Sequence, residues 1–196
     1  MKRTRSILAR QFYANPDVVQ VSRELLGKVL CTRFDGLLTS GIIVETEAYC
    51  GRNDKACHAN NGKRTNRTET MFGPPGHAYI YLCYGIHHLF NVVTNRSGMA
   101  DAVLIRGISP LDGFDTIKER RGVIADKNLA NGPGKLTEAL GIRTTHDTHD
   151  LTTSPIWIED RNHSVKPNQI ESSPRIGVDY AGEDALKPWR FTTSIF

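Results

Sequence analysis

The run "IIVETEAY", residues 42–49, sets Glu45, Glu47 and Tyr49 two positions apart on a segment that opens as pure hydrocarbon. In a β-strand alternate side chains share a face, so these three project together while Val44, Thr46 and Ala48 take the other side. Two carboxylates beside a phenol can take up a proton, steady a cation or meet solvent. The pattern leaves open whether that face looks into water or walls a site.

Further along, "HAYIYLCYG" supplies Tyr79, Tyr81 and Tyr84, with His77, His87 and His88 around them. Tyrosines suit strands and commonly pack as half-buried neighbours, which is reading enough for Tyr79. Tyr84 differs, because it falls with Gly85 at a turn between two strand patterns, where a ring has little core to join. An exposed ring at a protruding tip suits stacking on nucleic-acid bases or wedging between them. The loop "GKRTNR" adds Lys63, Arg64 and Arg67 within five positions. These form either a solvated basic loop or, beside such a wedge, phosphate contacts. Arg106 lies inside the apolar run "AVLIRGI", where a guanidinium must be ion-paired or reach a polar cavity.

Two groups could hold a metal in principle. Cys50, Cys57, His58 and Cys83 lack the closely spaced ligand pairs of zinc ribbons, and "HDTHD" (His146, Asp147, His149, Asp150) sits in a Thr-rich surface-type segment. Neither predicts a metal. Gly-x-Ser-x-Gly, P-loop and dinucleotide-binding patterns are absent, so serine hydrolases, nucleotide triphosphatases and dehydrogenases have no foothold.

The elements that must position these residues follow from periodicity. Asn15-Pro16-Asp17 reads as a helix start, with an apolar stripe to Leu26 and a stop at Gly27. "KVLCTRF" and "LLTSGIIVETEAY" read as strands joined at Asp35-Gly36, a hairpin signal. Residues 50–76 form a polar loop closed by "MFGPPG", and loops of that length are more often functional than idle. A hairpin follows in "HAYIYLC" and "IHHLFNVV" with Tyr84-Gly85 at its tip, and "AVLIRGI" reads as a central strand. "GFDTIKERR" and "GKLTEAL" read as helices, the second ended by Gly141, and "SPIWIED", "RIGVDYAG" and "WRFTT" as short strands. The expected architecture is a strand-rich α+β fold, one domain over residues 1–196.

The 196 residues carry a formal net charge of +4, with 39% hydrophobic and 23% charged side chains, a folded rather than a disordered composition. The mild basic excess leans toward a polyanionic partner. Four scattered cysteines fit free thiols in a reducing compartment. The arginine-rich opening "MKRTRSILARQFYAN" lacks the apolar stretch of a secretory signal and is read as a short amphipathic helix. No window reaches the about 18 consecutive apolar residues of a membrane span, so a cytoplasmic protein with no membrane partner is expected.

Taken together, "VETEAY", "CHANNGKRTNRTETMFGPPGHAYIYLCYGIHHLFNVVT", "AVLIRGISPLDG", "NGPGKLTEALGI" and "PRIGVDYAG" closely resemble the alkyladenine-type 3-methyladenine DNA glycosylases, from about residue 8 to 193. The resemblance implies a compact α+β domain with a curved antiparallel sheet, flanking helices and a projecting DNA-probing hairpin. It implies a monofunctional enzyme that needs no cofactor, metal or obligate protein partner. Such an enzyme flips 3-methyladenine, 7-methylguanine, hypoxanthine or ethenoadenine out of double-stranded DNA and hydrolyses the N-glycosidic bond, leaving an abasic site.

By motif, Glu47 corresponds to the general base, and Tyr49, His58 and Tyr81 to the walls around the flipped base. Tyr84 corresponds to the intercalating tyrosine and Asn91 to the asparagine that disfavours the amine of normal guanine. Arg106 corresponds to an arginine near the flipped nucleotide, and Met71 to a residue of a DNA-facing turn, with Lys63, Arg64 and Arg67 as DNA contacts. The chain departs from the pattern at Gly107, where alanine is more usual, and at Cys50 and Lys55, where the family varies. Glu45 receives no role and is read as structural. A non-catalytic damaged-DNA or RNA binder on the same fold is the alternative, and a zinc hydrolase built on "HDTHD" a weaker one.

Overall fold

The computed structural model describes residues 6–122 and 125–196; the first five residues of the arginine-rich opening lie outside them. A two-residue strand β1 (Ser6–Ile7) is followed by helices α1 (Arg10–Tyr13) and α2 (Val18–Glu24). The long hairpin β2 (Val29–Phe34) and β3 (Leu37–Tyr49) turns at Asp35 and Gly36, both at positive φ as the sequence requires. A second hairpin, β4 (Ala78–Cys83) and β5 (His87–Thr94), leads to β6 (Asp101–Asp112) and helices α3 (Phe114–Arg121) and α4 (Pro133–Leu140). The chain finishes with β7 (Thr152–Thr153), β8 (Ile156–Asp160), β9 (Glu171–Ser173) and β10 (Arg190–Thr192).

Among the described residues, ten strands join one antiparallel sheet with the path β1-β8-β2-β3-β6-β5-β4, β7 pairing β8, and it does not close into a barrel. One edge of β3 is shared. Its first half pairs β2, its second half pairs β10, and β9 adds outside β10. On the other edge the β3–β6 register slips by one residue after Ile43↔Ile108 to Glu45↔Gly107, then returns at Thr46↔Ile105. Val44 and Arg106 are thus extra residues on opposite strands, and such bulges re-aim side chains next to sites. Gly107 leaves Glu45 its room, since an added Cβ would lie 3.3 Å from both the Cβ and Oε2 of Glu45.

The main core lies between the sheet and the helices, with Leu25, Leu30, Ile43, Phe90, Ile105, Ile117, Leu136 and Leu140 buried. On β3 the face opposite Glu47 serves this layer. The Thr46 hydroxyl accepts from the Ser22 hydroxyl of α2 and donates to the Ser22 carbonyl, and Ala48 is fully buried. Helix α4 has Pro133 in its first turn and ends at Gly141 in the left-handed region, the asymmetry that proline and glycine favour.

Two expectations need correction. The N-cap of helix α2 is Asp17, two residues beyond Asn15, because the Asp17 carboxylate caps the amides of Val19 and Gln20 while Asn15 only folds back on the Asp17 amide. "RIGVDYAG" is not a strand. Residues 174–178 are irregular and Asp179–Leu186 is a 3-10 segment broken at Gly182, because Arg175 is drawn into the interior and the Ile176 amide bonds a side chain rather than a neighbouring strand. No helix among the described residues is long and apolar enough to cross a membrane.

Candidate active site

The face that carries Glu45, Glu47 and Tyr49 is turned largely inward, with Glu45 and Tyr49 half-buried. Glu47 is fully buried. Its Oε2 accepts the Tyr49 hydroxyl at 2.6 Å and its Oε1 accepts the Ile176 amide at 2.8 Å. The Arg106 guanidinium, turned inward by the bulge, stands 3.4 Å from Oε1 and 3.5 Å from Oε2. Glu45 instead accepts from Arg106 at 2.9 Å and from Arg190 of β10 at 2.6 Å. The two acids thus divide one arginine between them. Glu45 neutralises it from the side, and the long contacts to Glu47 leave that carboxylate only partly compensated.

Burial raises the Glu47 carboxyl above the ordinary carboxylate range, against the lowering effects of Arg106, the Tyr49 hydroxyl and the Ile176 amide. Raised, buried carboxyls of this kind are the groups that serve as general acids or bases. Tyr49 titrates well above its usual range, through burial and then the neighbouring Glu47 charge.

Tyr49, Arg106 and Ile176 form one end of a cleft of about 670 Å³, a size typical of small-molecule sites. They stand between its space and Glu47. The opposite wall is aromatic. His58 meets the Tyr81 ring edge-on at 4.8 Å between centroids, and Tyr79 lies 5.4 Å from Tyr81. Arg67 sits 4.7 Å over the Tyr81 ring, and its guanidinium donates to His58 Nε2 at 3.3 Å. Because that nitrogen accepts, Nδ1 carries the proton and donates to the Tyr79 hydroxyl at 3.1 Å. Burial and the Arg67 charge push the His58 imidazole down to about 4, so the ring is neutral at physiological pH. Arg67 thus sets the tautomer of His58, and Tyr79 is more than packing because its hydroxyl accepts the Nδ1 proton and holds the plane of the ring.

Asn91 lines the cleft with its amide nitrogen held by the Tyr79 and Leu89 carbonyls, at 3.0 and 3.4 Å. At the cleft mouth the β4–β5 hairpin lifts Tyr84 to 92% exposure, beside Ile86 at 70%. The turn closes by the Ile86 amide on the Cys83 carbonyl, and both Tyr84 (φ 52) and Gly85 (φ 73) are left-handed.

Other expectations divide. Lys63 is exposed, and Arg64 is exposed but tied to Glu69 at 2.7 Å. Met71, expected on a DNA-facing turn, is buried with Cys57, Ala59 and Tyr79 and lines the cleft beside the aromatic wall. Its thioether belongs to that small core, because the 3-10 turn Glu69–Phe72 points it inward. The "HDTHD" residues are spent separately. Asp147 accepts from Thr70 and the Ile80 amide, Asp150 pairs with Arg10, and His146 stacks on Phe34. No group of three metal-binding side chains occurs among the described residues.

Sequence reading missed the strap over Glu47. Arg175 and Asp54, both fully buried, form a bidentate ion pair, and Arg175 lies 4.8 Å over the Tyr49 ring. Arg175 lies in "PRIGVDYAG" and Asp54 in the polar 50–76 loop, and residue pattern gives neither a role.

Comparison with known proteins matches residues 11–194 to the family described as methylpurine-DNA glycosylase (MPG). A protein of Bacillus thuringiensis (strain Al Hakam) named "Putative 3-methyladenine DNA glycosylase" is 47% identical over 184 residues, covering 89% of this chain and 90% of its own. One of the same name from Chlamydia felis (strain Fe/C-56) is 46% identical over 191 residues, covering 96% and 97%.

Proposed function

The chain belongs to the methylpurine-DNA glycosylase family, and from that premise we propose that it excises alkylated or deaminated purines from double-stranded DNA. Its substrates are 3-methyladenine, 7-methylguanine, hypoxanthine and ethenoadenine, and Glu47 activates the attacking water. The observation that carries this reading is the buried, hydrogen-bonded Glu47 carboxylate set directly behind Tyr49, Arg106 and Ile176 at the end of an aromatic cleft whose mouth bears a projecting tyrosine.

A base inside a duplex is out of reach, so it must be extruded and its stacking replaced. Tyr84 fills the gap, and Ile86 beside it adds apolar surface. The extruded purine enters between Tyr49 and the His58–Tyr81 wall. A methylated purine is cationic and stacks best on electron-rich faces, which the neutral His58 supplies along with the tyrosines. Asn91, pinned by two backbone carbonyls, cannot swing aside and bars the exocyclic amine of guanine.

As the glycosidic bond lengthens, positive charge grows on the sugar. Glu47 lowers its energy and takes the proton of a water, as carboxylates do in other glycosidic hydrolyses. The Tyr49 hydroxyl and the Ile176 amide take one lone pair on each Glu47 oxygen, and the side toward Arg106, held only by long contacts, receives that water in this reading. Arg67 and Lys63 meet phosphates at the rim, joined by Arg64 once DNA competes with Glu69.

Incubation with a hypoxanthine-containing duplex followed by hot alkali tests the reading. Strand breaks at the lesion are expected, and they persist in a strong chelator. Shifted mobility without breaks would instead identify a binding module.

A further inference from the structure

We propose that Arg175 is a positioning residue, whose buried pair with Asp54 holds the 174–186 strap so that the Ile176 amide stays on Glu47. The inference rests on Glu47 being the base.

Four separate parts of the chain converge on this one guanidinium. It donates to both Asp54 oxygens at 2.5 and 2.7 Å, to the Ala48 carbonyl at 2.8 Å and to the Asp184 carbonyl at 3.0 Å. Ala48 lies on β3 between Glu47 and Tyr49, Asp54 opens the long loop, and Asp184 is near the far end of the strap. The flat cation also covers the rings of Tyr49 at 4.8 Å and Trp189 at 5.2 Å. The backbone between Glu47 and Tyr49 is therefore bonded directly to the residue that precedes Ile176.

Stability alone is a poor account of such a pair. Apolar residues of similar volume replace buried ion pairs at little cost or with gain, and the Arg175 Nε is buried with no hydrogen-bond partner. The fork does something an apolar plug cannot, because it fixes direction. With both ends of the strap tied to it, the Ile176 amide has one place to point, which is the Glu47 Oε1.

The groups facing Glu47 are Glu45 and Tyr49 on its own strand, Arg106 on β6 and Arg175 on the strap, with Arg190 of β10 acting through Glu45. Losing the Ile176 donor disfavours the ionised carboxylate, so the acid limb of the rate profile moves to higher pH. Loss of the Arg175 charge alone would push the same way, so the test keeps net charge constant. Arg175→Lys retains the cation without the fork, and R175Q/D54N removes both charges while leaving no orphan.

Melting and lesion-duplex affinity are measured for both variants, then single-turnover excision at saturating enzyme across pH. A duplex affinity within about twofold of wild type is expected, with excision slowed about tenfold to a hundredfold, the size of one hydrogen bond to a charged group. The acid limb rises by about one unit. Wild-type rate and acid limb in the variants, whatever their melting temperatures, would reduce Arg175 to a structural residue and overturn the proposal. So would a loss confined to duplex binding. If wild-type protein releases no base, the glycosylase reading itself fails, a result distinct from either.

Discussion

Replacing Tyr84 by asparagine should make the protein more stable and less able to act on duplex DNA. Tyr84 sits at φ 52 in a turn whose partner Gly85 is at φ 73. An ordinary L-residue in the left-handed region gives up roughly 1–2 kcal/mol, which asparagine largely avoids. The tyrosine ring is 92% exposed, so its removal forfeits almost no buried surface. The net gain is about 1 kcal/mol, or about 2–4 °C in Tm for a chain of this size. On the functional side, a stacked aromatic contributes about 1–3 kcal/mol per base, which translates to roughly five- to 150-fold in duplex excision. A lesion in a single strand has no such stack to replace. Thermal unfolding and single-turnover excision from matched duplex and single-stranded substrates measure both halves. An unchanged or lower Tm would refute the strain argument, and equal losses on the two substrates would refute the wedge.

Glu47→Gln should bind lesion DNA yet release no base, by gel shift and single-turnover assay. It should also be more stable than wild type at neutral pH. Folding raises the Glu47 pKa, so wild type loses stability as pH climbs through that raised value, whereas glutamine does not; urea titrations should show the gap closing on acidification. His58 is held down from 6.5 to about 4, so the unfolded chain takes up its proton first and stability falls as pH drops across that window. His58→Gln should flatten that part of the stability–pH curve. Asp17→Ala should cost about 1 kcal/mol through loss of the α2 cap, read as a Tm lower by about 2–4 °C.

Local chemistry was legible where it was self-sufficient. Asp35-Gly36 and Tyr84-Gly85 mark their turns, Pro133 and Gly141 bracket α4, and strict alternation puts Glu47 and Tyr49 on one face of β3. What escaped the sequence depends on how segments pack and aim their side chains rather than on residue pattern. The strap looks like a strand until Asp54, 121 residues away, draws Arg175 inside. Met71 does sit on a turn, but its burial depends on the loop folding over a core of Cys57, Ala59 and Tyr79. Asp17 takes the cap from Asn15 by geometry that composition does not distinguish. At the site, residue types suggested the acids and the rings, but not that Glu45 restrains Arg106 or that a backbone amide completes Glu47's coordination.

The paired slips in the β3–β6 ladder bear on how this protein can change over generations. Because one extra residue on each strand offsets the other, the ladder is back in phase by Thr46↔Ile105. Deleting a single residue between Ile43 and Thr46 would turn Glu47 and Tyr49 toward α2 and bring Thr46 and Ala48 to the cleft, erasing the chemistry while leaving the composition nearly intact. Substitutions are open to selection here, but changes of length are not. New lesion preferences must come from exchanged wall residues, or from lengthening of the 50–76 loop, which carries His58 and Arg67 outside any ladder.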